Sequence, residues 1–352
     1  MPNPNRAHLL GPLLKGVSRS FYLTLRILPA GMRDPVGLAY LLARAADTIA
    51  DTSLIPPAQR LELLLALRQR VNGAEDGGSI AQRLAAEVAT QQTQSDEKVL
   101  LESIGPALDV LAQLDEADRR AVRGIVTTLT EGMEFDLRTF PDERSGQVAA
   151  LRTMDDLDRY TYLVAGCVGE FWTTMTYAHV PGVLAEAPGT MLDRGVRFGK
   201  ALQMVNVLRD CGKDLRIGRC YLPADVQDRH GLVLHDLLDP ANSRRAQPML
   251  GELVRVSLDH FRSAMAYTFA IPRTAIRLRL ACLWPILIGL ETLLLLAGND
   301  AWLDPARISK VPRGKVYLVL GRSTATVMSD TLLRGWMEDL IARIEASLAR
   351  AS

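Results

Sequence analysis

The chain has 352 residues, and its 41 lysines and arginines are balanced by 40 aspartates and glutamates, which gives a formal net charge of +1. This balance argues against a nucleic-acid-binding protein that relies on bulk positive potential. With 48% hydrophobic and 5% aromatic residues, the composition also excludes a disordered, collagen-like or disulfide-framework chain and provides for a sizeable buried core.

The cysteines and the hydrophobic pattern bound the class of protein further. Cys167, Cys211, Cys220 and Cys282 have no CxxC spacing, so neither a zinc cluster nor a redox pair is indicated. Together with an N-terminus that lacks the features of a secretory signal, they suit a cytoplasmic protein. Apolar residues recur at helical spacing almost everywhere, and no run alternates as a strand does. We therefore predict a single all-α domain over residues 1–352.

Capping and breaking residues place the first helices in chain order. Asp34 followed by Pro35 predicts the start of a helix that runs to about Thr52, because aspartate caps a helix and proline suits its first turn. Pro57 predicts the start of a second helix, which ends near Gly73.

Later helices follow from similar signals. Thr153 and Asp156 are similar to a capping box and predict a helix to about Tyr177. A long helix is predicted over residues 189–213. Three polar stretches are predicted to be loops, namely residues 72–79, 91–97 and 240–247.

Residues 280–297 form an apolar run of 18 residues that imitates a membrane span. Pro285 interrupts the run, and Glu291 would place a carboxylate where a bilayer makes charge expensive. We therefore expect a buried helix here. Three arginines lie just upstream, so peripheral contact with the inner membrane stays open.

A first pair of carboxylates lies within the predicted helix that ends near Thr52. Asp47 and Asp51 are four residues apart, so they share one helical face within an otherwise apolar stretch. Like charges at this spacing destabilise a helix by a few tenths of a kcal/mol, about 0.2–0.5. A bound cation would relieve that repulsion, whereas the alternative is a pair of solvated surface aspartates.

A second pair repeats the arrangement and favours the cation. Asp210 and Asp214 are also four apart, and Gln203 and Asn206 precede them on the same face of an apolar helix. Oxygen donors of this kind suit Mg²⁺, which completes its shell with water and substrate phosphates. Arg44 and Arg209, next to the two pairs, suit phosphate oxygens. This pattern predicts metal-assisted departure of diphosphate from an oily substrate.

Several stretches together resemble the squalene/phytoene synthase family. They are Ser18-Arg19-Ser20-Phe21, Asp47-Thr-Ile-Ala-Asp51, Tyr160-Thr-Tyr-Leu-Val-Ala-Gly166-Cys-Val-Gly169, Asn206-Val-Leu-Arg209-Asp210-Cys-Gly-Lys-Asp214 and Arg219-Cys-Tyr221-Leu-Pro223. The resemblance is collinear over about residues 15–320. It implies the all-α isoprenoid synthase fold, with the two aspartate motifs facing each other across a central hydrophobic cavity. It also implies head-to-head (1′-1) condensation of two molecules of farnesyl diphosphate through a cyclopropyl intermediate, presqualene diphosphate.

The resemblance also implies roles for single residues. Asp47, Asp51, Asn206, Asp210 and Asp214 match the metal-binding positions, and the four aspartates and Tyr160 match the catalytic ones. Tyr160 would assist proton loss or steer the cation, with plain packing as its alternative. The substrate-binding positions are Ser18, Arg19, Ser20, Phe21, Tyr40, Arg44, Val168, Gly169, Gln203, Asn206 and Arg209. Core packing is the alternative for Phe21, and helix packing for the small residues near Gly169. Thr52 stands where many relatives have a further carboxylate.

The branch of the family decides the cofactors, which we predict to be Mg²⁺ and NADPH. Residues 18–48 and 158–166 resemble the squalene synthases, which reduce the cyclopropyl intermediate, more than the phytoene synthases. Residues 309–316 resemble the basic, glycine-containing segment implicated in NADPH binding, although Pro312 departs from it. The predicted cofactor-binding residues are Arg44, Asn206, Lys310 and Arg313. A solvated basic turn is the alternative for this segment.

Other activities stay open within and outside the family. A dehydrosqualene or phytoene synthase would need no NADPH, and a presqualene diphosphate synthase would stop at the intermediate. Terpene cyclases share the diphosphate chemistry, but Asn206, Asp210 and Asp214 do not match their usual second metal motif. A non-catalytic helical assembly or membrane-docking protein would bind no prenyl diphosphate.

Overall fold

The computed structural model describes residues 4–18, 22–75 and 79–351. It is 77% helical with 1% strand, so the all-α prediction is confirmed. The chain divides into two compact units, one formed by Met1–Arg138 with Thr174–Pro181 and the other by Thr139–Thr173 with Gly182–Ser352. The assignment of all 352 residues to one domain stays a prediction.

The first unit contains two long helices, of 22 and 24 residues, among short and medium ones. Its helices are α1 Pro4–His8, α2 Leu14–Ser18, α3 Tyr22–Arg26, α4 Ala30–Asp51, α5 Pro57–Val71, α6 Ser79–Arg83, α7 Ser95–Glu102, α8 Ile104–Gln113 and α9 Glu116–Thr139. A π-helical turn, Leu9–Leu13, joins α1 to α2. The segment after α6 continues as π-helical Leu84–Val88 and 3-10 helical Ala89–Gln91.

Helix α4 forms the centre of this unit and packs against α5, α7 and α8. Leu41, Leu42 and Ile49 on its inner side are fully buried, and burying one such side chain contributes about 1.5–3 kcal/mol. The predicted start of this helix at Asp34 is wrong, because α4 begins four residues earlier, at Ala30. Asp34 forms an ion pair with Arg6 instead of capping the helix.

Two other boundaries test the sequence predictions in this unit. Helix α5 begins at Pro57, as predicted, and the chain after it turns at Gly73 with a φ of 100°. The predicted loop 91–97 is wrong in its last part, because α7 begins at Ser95.

The second unit contains further long helices and a short two-stranded sheet. Its elements are β1 Ala149–Ala150, α10 Met154–Thr161, a π-helical segment Tyr162–Gly166, the first part of α11 Cys167–His179, α12 Pro188–Asp214, β2 Arg219–Cys220, α13 Ala224–Arg229, α14 Leu234–Leu237, α15 Gln247–Phe269, α16 Ile276–Ala297, α17 Arg313–Thr326 and α18 Asp330–Ala351. β1 pairs in parallel with β2, with Ala149 opposite Arg219. The predicted capping box is present, since the Thr153 side chain accepts from the Asp156 N–H.

Glycines bring helix α12 into backbone contact with its neighbours. A Cβ on Gly169 would overlap the carbonyl oxygen of Gly195, and one on Gly199 would overlap the carbonyl oxygen of Ala165. Only glycine permits such an approach, because any side chain would occupy the space of the opposing backbone. α12 also packs along α15. The position of α12 therefore depends on backbone contact as well as on side-chain packing.

Helix α16 corresponds to the apolar run that imitates a membrane span. In the described part of the chain it is the one helix long and apolar enough to cross a membrane, and 72% of that stretch is buried. The side chain of Glu291 is only 7% exposed and pairs with Lys315 on α17 at 3.0 Å. A buried carboxylate needs such a partner, so the expectation of a buried helix is confirmed.

All four cysteines are free and buried. Burial raises the pKa of the Cys220 and Cys282 thiols to about 12. Cys220 and Cys282 therefore remain uncharged thiols in the core near neutral pH. The cytoplasmic location inferred from the cysteine pattern stays a prediction.

Candidate functional site

One stripe of helix α4 remains open to solvent in the first unit. Tyr40, Arg44 and Asp47 are half-buried, Asp51 is exposed, and the residues between them are mostly buried. These four positions recur every three to four residues, so they lie along one face of the helix. The structure thus places four predicted site residues on the α4 stripe, as their spacing indicated.

Arg44 lies in the middle of the α4 stripe and pairs with two carboxylates. One Nη nitrogen donates to the carboxylate of Asp47, and the other donates to Glu97 on α7 at 2.5 Å. Glu97 was not among the predicted site residues, because residues 91–97 were expected to form a loop. The signal was present, since a serine followed by Asp96 and Glu97 is typical of the first turn of a helix.

The pKa of Asp47 is raised from its ordinary value of 3.8 to about 6. Burial of the carboxylate among protein atoms is the largest cause, the negative charge of Asp51 adds to it, and Arg44 opposes both. The side chain is nonetheless 38% exposed, so the carboxylate lies at a rim that solvent reaches. A divalent cation bound beside Asp47 would favour the ionised form of its carboxyl.

The serine–arginine–serine element is described only in part. Ser18 is buried, and its hydroxyl donates to the Leu14 carbonyl at 2.5 Å. The predictions for Arg19, Ser20 and Phe21 lie outside the described residues. A cavity of about 330 Å³ lies between α2, α4 and the start of α7, and its lining includes Val17, Arg44 and Glu97.

Helix α12 carries the corresponding stripe in the second unit. Gln203, Asn206, Asp210 and Asp214 are exposed or half-buried, while Met204, Val205, Val207, Leu208 and Cys211 between them are buried. The Asn206 amide donates to the Gln203 side-chain oxygen at 3.2 Å. The four predicted donors therefore share one face of α12.

Arg209 donates two hydrogen bonds to Asp210. Its Nε donates to one carboxylate oxygen at 3.0 Å, and an Nη nitrogen donates to the other. Two parallel bonds from a guanidinium fix the orientation of a carboxylate. Each stripe thus joins an arginine to the first aspartate of its pair.

Tyr160 packs in an aromatic cluster at the end of α10. Its ring stacks on Tyr221, with centroids 4.6 Å apart, and Phe140 meets Tyr221 edge to face at 4.9 Å. The π-helical segment follows directly, and π-helical turns often occur at functional sites. The catalytic role of Tyr160 stays a prediction, and its packing on Tyr221 was not foreseen.

Two small-residue predictions differ in their outcome. Gly169 lies against Gly195, so the structure gives it a role in helix packing, which was the alternative at this position. Val168 is exposed and remains available to a ligand. Substrate binding by either residue stays a prediction.

The donor sets fit Mg²⁺ better than a metal held by protein alone. In the parts of the chain that the structure covers, no three His, Cys, Asp or Glu side chains assemble as a metal site. Each stripe instead offers two carboxylates, and Mg²⁺ takes few protein ligands and several from water and phosphate. The stripes belong to different units. Their facing each other across a cavity stays a prediction.

The basic segment 309–316, which includes the first turn of α17, suits phosphate by its charge. Lys310 and Arg313 are exposed and have no carboxylate partner among the described residues. Lys315 is engaged by Glu291. A Cβ on Gly314 would meet no atom within 4 Å, so this glycine does not mark a close backbone contact. The segment therefore offers two available cations for a nucleotide phosphate.

Comparison with known proteins places the chain in a family. The family model for squalene/phytoene synthase matches residues 14–315. The chain belongs to the squalene/phytoene synthase family. It is thus a member of a family of prenyl-transferring enzymes, as its motifs predicted.

Individual relatives agree with this assignment. The squalene synthase of Eremothecium gossypii is 26% identical over 320 residues, which are 89% of this chain and 67% of that protein. A solved complex of TcSQS with the ligand E5700 has a TM-score of 0.72 at 21% identity and covers 99% of both chains. A solved dehydrosqualene synthase complex has a TM-score of 0.60 at 20% identity, over 92% of this chain and 97% of that one. These structures confirm the isoprenoid synthase fold.

The curated relatives are longer than this chain. It spans between 51% and 67% of the length of the squalene synthases from Botryococcus braunii, tomato (Solanum lycopersicum) and Eremothecium gossypii. The reaction, the substrates and the partners of this chain are therefore treated as proposals.

Proposed function

We propose that the chain is a squalene synthase. It condenses two molecules of farnesyl diphosphate head to head through presqualene diphosphate, and then reduces this intermediate with NADPH to squalene. The observation that carries the proposal is the pair of stripes on α4 and α12, each with an arginine joined to the first of two aspartates one turn apart. Their occurrence in a member of this family favours diphosphate as the bound group.

The carboxylates would hold the metal, and the arginines would hold the phosphates. Mg²⁺, when bound, supplies positive charge that stabilises the departing diphosphate. Asp47 and Asp51 on α4, and Asp210 and Asp214 on α12, provide oxygen ligands on open helical faces. Arg44 and Arg209 already lie in these stripes, so either guanidinium can move from its aspartate to a phosphate oxygen.

The apolar side chains around the stripes would protect the carbocations. Ile49 and Ala50 on α4 and Cys211 on α12, beside the carboxylates, are buried and apolar, and a dry lining keeps water from quenching a cation. The rings of Tyr160 and Tyr221 stack on each other at the end of α10, and aromatic rings attract a nearby cation. The hydroxyl of Tyr160 is the group to which we assign assistance in proton loss.

The reductive step distinguishes this proposal from the other branches of the family. NADPH, when bound, supplies a hydride. Lys310 and Arg313 would hold its phosphates, because both are exposed cations with no described carboxylate partner. The squalene synthases among the relatives favour this branch. A dehydrosqualene or phytoene synthase, or a presqualene diphosphate synthase, is the second candidate, favoured by the similar fold of the dehydrosqualene synthase.

Product analysis tests the proposal directly. The full chain is incubated with farnesyl diphosphate and Mg²⁺, with and without NADPH, and the products are identified by mass spectrometry. We expect squalene only when NADPH is present. Dehydrosqualene without NADPH, or presqualene diphosphate under both conditions, would assign the chain to another branch.

A matched pair of variants on one helix separates the site from the scaffold. Asp210→Asn removes a carboxylate from the α12 stripe, whereas Asp193→Asn changes an exposed aspartate of the same helix outside it. We expect product to disappear only in the first variant, while both keep the helical circular dichroism of the parent. Equal activity of the two variants would contradict the metal assignment.

A further inference from the structure

Helix α17 lies on the surface of the second unit and exposes large apolar side chains to solvent. Val319 and Ser323 face inward, and Val316 and Leu320 beside them are half-buried. The opposite face should be polar on a surface helix. Instead, Tyr317 and Leu318 are each 70% exposed. Two large apolar side chains side by side in water indicate a surface that is covered in use.

The exposed apolar surface extends beyond α17. Met328, in the turn after α17, and Leu332, in the first turn of α18, are also exposed. A groove of about 560 Å³ runs between the two helices, and its lining includes Leu318, Leu332 and Trp336. We call Tyr317, Leu318, Met328 and Leu332 the α17 patch.

The charge along the α17 side of the patch has one sign, whereas the α18 side of the groove also carries Asp339. Residues 309–329 contain the cations Lys310, Arg313, Lys315 and Arg322 and no aspartate or glutamate, although the chain as a whole is nearly neutral. Lys315 is paired with the buried Glu291. Arg322 stacks over the Trp336 ring at 4.2 Å and has no carboxylate partner within the described part of the chain. Cations therefore stand on both sides of Tyr317 and Leu318.

We infer that the α17 patch docks on an anionic lipid bilayer. A helix that lies in a membrane interface buries one apolar face among the acyl chains and places lysines and arginines at the phosphate headgroups. Tyrosine is enriched at this depth because its ring is apolar and its hydroxyl is wet. α17 has these parts in that order, since Tyr317 and Leu318 lie between Arg313 and Arg322.

The charge distribution favours a lipid surface over a second copy of the chain. In a symmetric dimer through the α17 patch, the cations of residues 309–329 would face the same cations of the partner. Like charges across an interface oppose association. An anionic bilayer instead matches them, and each cation near such a surface raises affinity by roughly fivefold. This inference concerns residues 309–332 and does not depend on the proposed reaction, although it shares Lys310 and Arg313 with the proposed nucleotide site.

Vesicle flotation tests the inference. The full chain is mixed with vesicles of phosphatidylcholine, or of phosphatidylcholine with phosphatidylglycerol, and no prenyl diphosphate is added. We expect flotation with the anionic vesicles, loss of binding at high salt and little binding to phosphatidylcholine alone. The double variant Tyr317→Ser/Leu318→Ser should bind the anionic vesicles about tenfold or more weakly, because it loses the apolar anchor.

Matched controls keep the result specific. Val233→Ser removes an apolar side chain that is 59% exposed, as Leu332 is, but lies on another part of the unit. This variant should float like the parent. Arg322→Gln should weaken binding by roughly fivefold, and Arg152→Gln, which changes an exposed arginine elsewhere, should not. Circular dichroism checks that every variant is folded.

Three outcomes would overturn the inference. One is equal flotation of the Tyr317→Ser/Leu318→Ser variant and the parent. Another is equal binding of the parent to neutral and anionic vesicles, which would remove the role of charge. The third is a parent that fails to float and forms a dimer that the double variant loses, which would assign the α17 patch to contact between copies. Because no substrate is present, none of these results bears on the prenyl-transfer proposal.

Discussion

The α4 and α12 stripes carry the same motif in different electrostatic states. On α4 the arginine is shared between Asp47 and Glu97, and the pKa of Asp47 is raised to about 6. On α12 the Nε and an Nη nitrogen of Arg209 both donate to the carboxylate of Asp210. The difference follows from position, because Arg44 precedes its aspartate by three residues and Arg209 precedes its aspartate by one. Equal spacing of carboxylates therefore does not give equal charge compensation.

The two stripes also differ in what holds their helices. α4 is fixed by fully buried aliphatic side chains such as Leu42. α12 is fixed in addition by backbone contacts at Gly195 and Gly199, which no side chain can replace. Leucine packing tolerates small adjustments of the neighbours, whereas backbone contact leaves no room for a methyl group. The α12 stripe is thus the more rigidly placed of the two.

The largest effect is expected when one carboxylate is removed from either stripe. Asp47→Asn and Asp210→Asn should each lower kcat by about 10²–10³-fold, because both stripes are needed to stabilise the leaving diphosphate. Steady-state kinetics at saturating Mg²⁺ measures the loss. Asp109→Asn on α8 and Asp193→Asn on α12 are exposed controls in the same two units. A large loss in only one stripe variant would contradict the shared role.

The next effect tests the backbone contact of α12. Gly169→Ala should lower the free energy of unfolding by about 1–3 kcal/mol, because the new methyl group would overlap the Gly195 carbonyl oxygen. Thermal unfolding measures it. Gly189→Ala in the first turn of α12 is the control, since a Cβ there meets no atom within 4 Å. Loss of activity with an unchanged Tm would instead assign Gly169 to substrate contact.

A smaller effect is expected from the partner of Arg44 on α7. Glu97→Gln removes a charge that orients Arg44, so KM for the diphosphate substrate should rise by roughly tenfold, which corresponds to one lost charged hydrogen bond. The same change should lower the pKa of Asp47, because the charge of Glu97 contributes to raising it. Glu102→Gln on the same helix is the control. An unchanged KM together with an unchanged pH profile would show that Arg44 needs no such support.

The smallest effect is a pH dependence of stability that belongs to the α4 stripe alone. Because the pKa of Asp47 is raised in the folded chain, the folded state favours the protonated carboxyl. The contribution of this protonated carboxyl to the free energy of unfolding is lost as the pH rises through about 6. Asp47→Asn should therefore gain Tm relative to the parent at pH about 8 more than at pH about 5. Solvent at the exposed part of the side chain keeps the gain small.

Asp210→Asn is the comparison for this measurement. We expect a lower Tm for Asp210→Asn than for the parent, because the substitution removes the paired hydrogen bonds from Arg209. A gain of Tm at high pH in both variants would mean that the two stripes are electrostatically alike.

The sequence predicted the parts of the site that depend on local spacing. Tyr40, Arg44 and Asp47, like Asn206 and Asp210, fall on one face because helix geometry places residues three and four apart together. The Thr153 capping box and the start of α5 at Pro57 are equally local. Such features need no knowledge of the rest of the fold.

What the sequence missed depends on residues far apart in the chain. Glu97 reaches Arg44 across 53 positions, and Arg6 takes Asp34 away from its predicted capping role across 28 positions. The contact of Gly169 with Gly195 joins two separate helices. Periodicity carries no information about such pairs, because tertiary packing decides them.

The burial of the cysteines has a practical consequence for following these helices in solution. A thiol reacts as its thiolate, and a pKa of about 12 leaves almost none of that form at Cys220 and Cys282 near neutral pH. A single cysteine introduced on the exposed face of α17 would consequently be the preferred target of a maleimide dye, with the native residues left in place. The native cysteines would therefore add little background labelling when a fluorophore is attached to α17 to follow its approach to a vesicle.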